Sequence, residues 1–307
     1  MDQFSSHPLY KKHNIDSVMN SLWEFYKKRF FSLIVVSFFM SLALQYASTL
    51  IDFKVLQSIT DPVLLLEKLK DFIVPILIVS LLNLLFSTIL QYYVLFNPLN
   101  HENNIFISAV KSMKFFIPYL ILMILLAFTG SIAILLGFFV LIVGAFFALL
   151  YVFTIYLFLL PVMMAEETNI GNTIARTIKL VHKNLWSNLG WVAVFIIILI
   201  VVSLILSSII LLPFTGNFLK TILNNVTTAD MADMSKNPIF LFLSALAGAL
   251  TFPLMPIFAS ILYFNGRSAE DQSQRVDQIK PEDEKIKVED LYAKPYSDDH
   301  PENPANK

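Results

Sequence analysis

Long apolar runs separated by short polar stretches dominate the first 265 positions of the chain. An α-helix rises about 1.5 Å per residue, so about 20 apolar residues cross a hydrocarbon layer roughly 30 Å thick. The uncharged run 115–165 is long enough for two such helices, and Gly130, Ser131 and Gly137 predict the turn between them. The pattern therefore predicts six spans, at about 30–51, 72–96, 115–135, 139–165, 190–212 and 238–264.

Three amphipathic segments precede the first, third and fifth of these spans. They begin at Asn14, Asn104 and Asn169, each followed by Ile, and apolar residues then recur every three or four positions. Asn is a good N-cap, so each segment is predicted to be a helix. The chain then consists of three tandem units of one elbow helix and two spans. Two compatible interpretations remain for each elbow helix: it lies at the lipid headgroups, or it packs under the bundle.

Lys and Arg are concentrated on one side of the predicted spans, which predicts that this side is cytoplasmic. They lie in the N-terminal segment and in the segments after the second, fourth and sixth spans. The predicted fold is therefore an all-α, polytopic membrane helix bundle with six transmembrane helices and cytoplasmic elbow helices. A cytoplasmic leader with an amphipathic helix occupies 1–29, the membrane domain occupies 30–265, and both termini are cytoplasmic.

Composition agrees with a membrane protein and separates off the C-terminal tail. The chain has 56% hydrophobic and 15% charged residues and a mean hydropathy of +0.68, whereas soluble domains have about 45–50% apolar and about 25% charged residues. Residues 266–307 are acidic, contain several prolines and have little apolar content, which predicts disorder. Two prolines, Pro253 and Pro256, predict a kink in the sixth span.

The residues that usually carry chemistry give no catalytic or metal-binding pattern. Cys is absent, and the five His are not spaced as metal ligands: His7 and His13 lie in the polar leader, His101 and His182 in loops, and His300 in the tail. Every Asp and Glu lies outside the predicted spans, so no intramembrane acid is available to relay protons. The sequence favours a protein that is not an enzyme and predicts no cofactor or metal.

Two small groups of polar residues remain as candidate contacts. Asn83 and Gln91 lie within the second span, where an amide side chain requires a partner on another helix. At the interface after the fourth span, the acidic pair Glu166 and Glu167 precedes a basic helix, and contacts with those bases or with lipid headgroups compete with a simple helix-dipole role. The candidate interface and headgroup contacts are Glu166, Glu167, Arg176, Lys179 and Lys183.

The third unit resembles a pattern found in bacterial membrane proteins. Pro161 near the end of a span, Glu166 at the interface, the amphipathic helix from Asn169 and Trp191 before the next span carry the resemblance. They resemble the six-span membrane domain associated with some bacterial glycerophosphodiester phosphodiesterases and with related uncharacterised proteins. In those enzymes a separate soluble domain performs the hydrolysis, and residues 266–307 are too short to contain one. The resemblance implies a bacterial inner-membrane module and no catalytic residue.

Two functions stay open after this reasoning, and a third needs a special geometry. The first hypothesis is a non-enzymatic scaffold or accessory protein in a lipid or envelope process, which contacts anionic lipid headgroups and a protein partner through the tail; no nucleic acid is expected. The alternative is a carrier or permease for an amphipathic, lipid-like substrate, which predicts a cavity near Asn83, Gln91 and the proline kink. An enzyme requires Glu166, His101 and His182 to converge.

Overall fold

The computed structural model describes residues 3–51, 62–100, 103–214 and 236–279. These residues form an all-α helix bundle, and no β-strand occurs within the described ranges. The α-helices of these ranges are α1 (Ile15–Lys28), α2 (Phe30–Ser48), α3 (Pro62–Phe96), α4 (Ile105–Phe138), α5 (Leu141–Glu166), α6 (Ile170–Lys183), α7 (Leu185–Leu211), α8 (Pro238–Thr251) and α9 (Leu254–Ile279).

Six helical segments of the described ranges are long and apolar enough to cross a membrane, which makes the chain a multi-pass membrane protein. Their number agrees with the six apolar runs of the sequence. The segments are Phe30–Ser48, Lys68–Phe96, Ile105–Phe138, Leu141–Glu166, Leu185–Phe214 and Pro238–Gln272.

The three predicted Asn caps are present. The side-chain oxygens of Asn14, Asn104 and Asn169 each accept a hydrogen bond from a backbone N–H three residues later, at 2.8, 3.0 and 2.9 Å. Each bond satisfies one of the donors that a helix start leaves unpaired. The units differ after the cap: α1 and α6 are separate elbow helices, whereas α4 runs unbroken from Ile105 to Phe138, so the second predicted elbow is the first part of a long helix.

The turn between the third and fourth spans lies at Phe139 and Val140. A Cβ atom on Gly144 would lie 2.5 Å from the carbonyl oxygen of Gly137, so the close approach of α4 and α5 at this turn requires glycine. Gly130, which the sequence analysis placed in the turn with Ser131, lies inside α4 and faces Val152 of α5. That part of the turn prediction is wrong. Gly130 lies within a continuous helix, where the absence of a side chain allows close packing against α5 and does not end the span.

The last span is interrupted where the prolines predict a kink. Helix α8 ends at Thr251 and α9 begins at Leu254, because Pro253 has no N–H to continue the backbone ladder. Pro256 lies in the first turn of α9, where a missing N–H costs nothing. Helix α9 then continues to Ile279, beyond the predicted start of the disordered tail at 266; residues 280–307 lie outside the described ranges.

The spans of the first compact unit, Met1–Ser268, contact one another in chain order. Helix α2 packs on α3, α3 on α4, α4 on α5, α5 on α7, α7 on α8, and α8 returns to α2. At the last contact Gly248 of α8 lies directly against the Ser41 hydroxyl of α2. The second compact unit, Ala269–Lys307, is helical as far as Ile279.

We call the end of the bundle where Arg29, Asn97, Lys114 and Glu166 lie the basal end, and the end with the α4–α5 turn the distal end. Arg29 donates to Asn97 at 3.3 Å, and Lys114 pairs with Glu167, the neighbour of Glu166, at 2.7 Å. The buried core lies toward the basal end and consists mainly of α3, α5 and α9. Its fully buried members include Leu90, Val94, Phe158, Val162, Phe258, Leu262 and Phe264.

Candidate intramembrane cleft

A cleft of about 340 Å³ lies among the spans. Its apolar walls come from α5, α7 and α9, and its polar groups come from five different helices. Apolar walls that carry convergent uncharged polar groups are the lining expected of a small-molecule site. The polar side chains that line it are Asn83, Ser87, Gln91, Tyr119, Tyr156, Ser203 and Thr251.

The polar stripe on α3 results from helical spacing. Asn83, Ser87 and Gln91 are four residues apart, so they lie on one face of the helix and all line the cleft. Gln91 is buried, and its amide donates to the Ser260 hydroxyl at 2.7 Å. Ser260 in turn donates to the Pro256 carbonyl at 2.8 Å. This chain of bonds fixes the deep end of the cleft, whereas Asn83 at the other end of the stripe is exposed.

The break between α8 and α9 contributes one side of the cleft. Thr251, Phe252, Met255 and Pro256 all line it, so residues on both sides of the interruption contribute to its wall. Tyr156 of α5 reaches across and donates to the Met255 sulfur at 3.6 Å. The broken span therefore shapes the cleft, as irregular backbone at membrane depth does where it lines a cavity.

The candidate residues Asn83 and Gln91 thus meet at one site with the proline break. The sequence analysis did not identify Tyr119 and Tyr156, which provide two of the hydroxyls in the cleft. A tyrosine inside an apolar run is the pattern that indicates them, since its hydroxyl requires a polar partner when buried. Ser203 of α7 also lines the cleft, and only the fold distinguishes it from Ser207 and Ser208 on the same span.

A second cluster lies at the basal end around the Glu166 carboxylate. The Arg176 Nε donates to both carboxylate oxygens at 3.0 and 3.1 Å, the Arg267 Nη1 donates to Oε1 at 3.1 Å, and the Tyr263 hydroxyl donates to Oε1 at 3.3 Å. The three charged side chains are only 15–20% exposed. Glu166 therefore joins the end of α5 to α6 and α9.

The other predicted headgroup residues lie at the surface. Glu167 pairs with Lys114 at 2.7 Å, and both side chains are more than half exposed. Lys179 and Lys183 are exposed on α6. Contacts of these residues with lipid headgroups remain a prediction, whereas Arg176 is occupied by Glu166.

The histidines that an enzyme would need do not converge within the described residues. His182 lies beside Tyr151, with 3.4 Å between its Nε2 and the tyrosine hydroxyl, and its Nδ1 is 2.8 Å from the Ile178 carbonyl. Its contacts are therefore separate from those of Glu166. His101 lies outside the described residues, and no group of three or more His, Asp or Glu in the described ranges is arranged to hold a metal ion.

The leader is not a polar, solvated segment as its sequence suggests. His7 is buried against Phe264, its Nδ1 accepts from the Leu9 N–H at 3.1 Å, and its Nε2 lies 3.2 Å from the Val94 carbonyl. These partners require a neutral ring with the proton on Nε2. Burial lowers the pKa of His7 to about 4, although the Val94 carbonyl opposes the shift.

His13 extends the same arrangement to the middle of α9. Its backbone N–H donates to the side-chain oxygen of Asn265 at 2.8 Å, and burial lowers the pKa of its ring. Residues 3–13 therefore pack on the bundle, because aromatic and aliphatic residues between the polar ones give this segment an apolar face. Phe4 and Leu9 are buried in the same way.

Fold and cleft together define a multi-pass helical membrane protein with a polar-lined intramembrane cleft. No protein-family model, curated protein or solved structure matches the chain. The resemblance of the third unit to phosphodiesterase-associated membrane domains therefore stays a prediction.

Proposed function

We propose that this protein binds an amphipathic, lipid-like molecule in the intramembrane cleft and acts as its carrier. The observation that carries the proposal is the cleft itself, where Asn83, Ser87 and Gln91 on α3 meet the break between α8 and α9. A scaffold needs no such space, and polar groups in a membrane are costly unless they have a partner. The carrier alternative thus gains support over the scaffold hypothesis.

The distribution of groups in the cleft favours an amphipathic ligand. Hydroxyl and amide groups offer hydrogen bonds to a polar head, and Leu157, Leu160 and Leu199 offer apolar contacts to a hydrocarbon part. No Asp, Glu, Lys or Arg lines the cleft, so a small inorganic ion would lack a counter-charge there. A molecule with an uncharged or delocalised polar head and an apolar body fits both features.

The membrane in which the protein lies and its orientation there are part of the same proposal. Lys11, Lys28, Arg29 and Lys114 all lie at the basal end, and the positive-inside rule supports a cytoplasmic location of that end. Together with the resemblance of the third unit, this supports a bacterial inner membrane, cytoplasmic termini and a role in lipid or envelope metabolism. Association of residues 280–307 with a protein partner is a further proposal about a segment outside the described residues.

Two serines on α7 provide a matched test. Both serines are exposed, but Ser203 lines the cleft, whereas Ser208 lies outside the lining and donates to its own helix at the Leu204 carbonyl. The full-length protein is reconstituted in nanodiscs with a fluorescent phospholipid analogue, and affinity is measured for Ser203→Leu and Ser208→Leu. We expect Ser203→Leu to weaken binding roughly tenfold, because leucine fills the cleft and removes a polar contact.

Transport is measured separately from binding. Proteoliposomes that contain the labelled lipid in both leaflets are treated with an impermeant quencher, and movement between leaflets is followed over time. A carrier moves the lipid faster than empty liposomes do, and Asn83→Leu slows it. Binding without movement would reduce the proposal to a lipid-binding accessory protein, and equal affinity of the two serine variants would reject the cleft as the site.

A further inference from the structure

A second pocket, of about 320 Å³, lies at the basal end of the bundle. The leader, helix α1 and the residues that flank α2 and α3 form it together. The charged and hydroxyl side chains that line it are Lys11, Ser21, Glu24, Lys28 and Arg29. Three cations thus face one carboxylate, which leaves two positive charges in surplus. We call this the basal pocket; it shares no lining residue with the cleft.

Arg29 is held in place at this pocket while most of its donors stay available. Its guanidinium lies over the Phe25 ring at 4.5 Å, and its Nε donates to the Asn97 side chain at 3.3 Å. Within the described residues, no carboxylate pairs with it. An arginine fixed through its face and its Nε presents its terminal nitrogens in the planar arrangement that binds phosphate oxygens in pairs.

The pocket lies beside the ends of two spans, and span ends meet the headgroup region of a bilayer. Arg29 immediately precedes the span that begins at Phe30, and Pro98 of the pocket follows the end of α3. On the neighbouring surface Trp23 is 52% exposed and has the Lys27 ammonium 5.2 Å from its ring centre. Exposed Trp next to Lys is typical of a membrane–water interface.

We propose that the basal pocket binds a phosphate monoester or diester, with Arg29 as the fixed donor and Lys11 and Lys28 as flexible ones. Basic pockets beside spans at this level suit anionic lipid headgroups. Ser21 adds a neutral donor, and Glu24 limits the surplus to two positive charges, which is enough for the single charge of a phosphate diester or the two charges of a monoester. This site is independent of the carrier proposal, because it is separate from the cleft.

Binding is tested on the full-length protein purified in detergent, by native mass spectrometry with phosphatidylglycerol and with diacylglycerol of the same acyl chains. The variant is K11Q/K28Q, whose two exposed lysines can be changed without loss of a buried contact. The charge-matched control is K70Q/K236Q, two lysines that are also exposed and that line neither the cleft nor the basal pocket. We expect K11Q/K28Q to weaken phosphatidylglycerol binding roughly twentyfold and the control to leave it within about twofold.

A competition arm distinguishes the source of the phosphate. If inorganic phosphate or glycerol phosphate displaces the lipid at low concentration, the pocket serves a soluble phosphate; if neither does, it serves the lipid headgroup. Thermal stability gives a second readout, because phosphatidylglycerol is expected to raise the Tm of the wild type and not of K11Q/K28Q. Equal binding of diacylglycerol, or equal losses in the variant and its control, would overturn the proposal.

Discussion

The basal and distal halves of the bundle both contain many large apolar side chains, but these side chains have different surroundings. In the basal half, apolar side chains such as Phe258 and Leu262 are fully buried, and polar groups from separate helices bond to one another. In the distal half, Phe139 in the turn and Ile142 at the start of α5 are 87% and 80% exposed, and exposed apolar residues continue along α7. In a bilayer those distal side chains face lipid, where their exposure is not unfavourable.

The difference indicates which half of the bundle determines the stability of the fold. Lipid tails are as apolar as leucine, so exposure of the distal residues costs little in a membrane and their packing adds little. Stability is therefore expected to depend on close contacts and hydrogen bonds in the basal half. The cleft lies between the two regimes, with the buried Gln91 at one end of its polar stripe and the exposed Asn83 at the other.

The largest effect is expected at the basal carboxylate. Glu166→Gln removes the charge that Arg176 and Arg267 share, which leaves two mostly buried cations next to each other. Breaking a buried ion pair on one side costs about 3–5 kcal/mol. The free energy of unfolding is measured by titration with a denaturing detergent, followed by tryptophan fluorescence. A loss no larger than that of Glu167→Gln would show that the cluster does not hold the three helices together.

A leucine pair compares the two halves directly. Leu262 is fully buried in α9, whereas Leu204 on α7 is 63% exposed. Leu262→Ala is expected to cost about 2–4 kcal/mol, because the surrounding side chains lose contacts and a cavity remains. Leu204→Ala is expected to change stability by less than about 0.5 kcal/mol. Equal costs in a bilayer mimetic would mean that the distal half packs against a partner, for example a second copy of the chain.

The leader gives the basal half a pH dependence. His7 has a pKa of about 4 when folded and an ordinary value of 6.5 when unfolded, so protonation favours the unfolded chain. The contribution of the neutral His7 ring to stability is complete above pH 6.5 and is lost as the pH falls from 6.5 toward 4. The loss reaches about 2 kcal/mol at about pH 5. His7→Gln is expected to flatten this part of the pH–stability curve. An unchanged curve in His7→Gln would assign the titration to another group.

The features that the sequence reveals are those that depend on local rules and not on contacts between distant residues. Span number, the Asn caps and the break at Pro253 follow from local rules of length, capping and missing donors, so they are readable without a structure. Asn83 and Gln91 are identifiable because an amide is rare in an apolar run. Burial of His7, in contrast, depends on Val94 and Phe264, which are far away in the sequence, and no local pattern encodes such a contact.

Two further features, the Glu166 cluster and the length of α4, show what a local sequence pattern does not reveal. Glu166 could be matched with Arg176, ten residues later, but its second arginine, Arg267, comes from the other end of the membrane domain. The continuity of α4 was missed because Lys111 and Lys114 interrupt the apolar run without interrupting the helix. Charge marks the limit of a span, whereas the backbone continues as long as its own hydrogen bonds can form.

The smallest effect is expected at the exposed ion pair between Lys114 and Glu167. Its side chains are 57% and 67% exposed, and such pairs contribute about 0.2–1 kcal/mol because water screens the charges and both chains lose freedom. Lys114→Gln is expected to lower the free energy of unfolding by about 0.5 kcal/mol at low salt and by less at high salt. Salt has little effect on the buried Glu166 cluster. The loss of unfolding free energy in Glu166→Gln, divided by the loss in Lys114→Gln, is therefore expected to rise with ionic strength. Lys114→Gln could instead lower the free energy of unfolding as much as Glu166→Gln does. In that case burial would not explain the stability of the basal end.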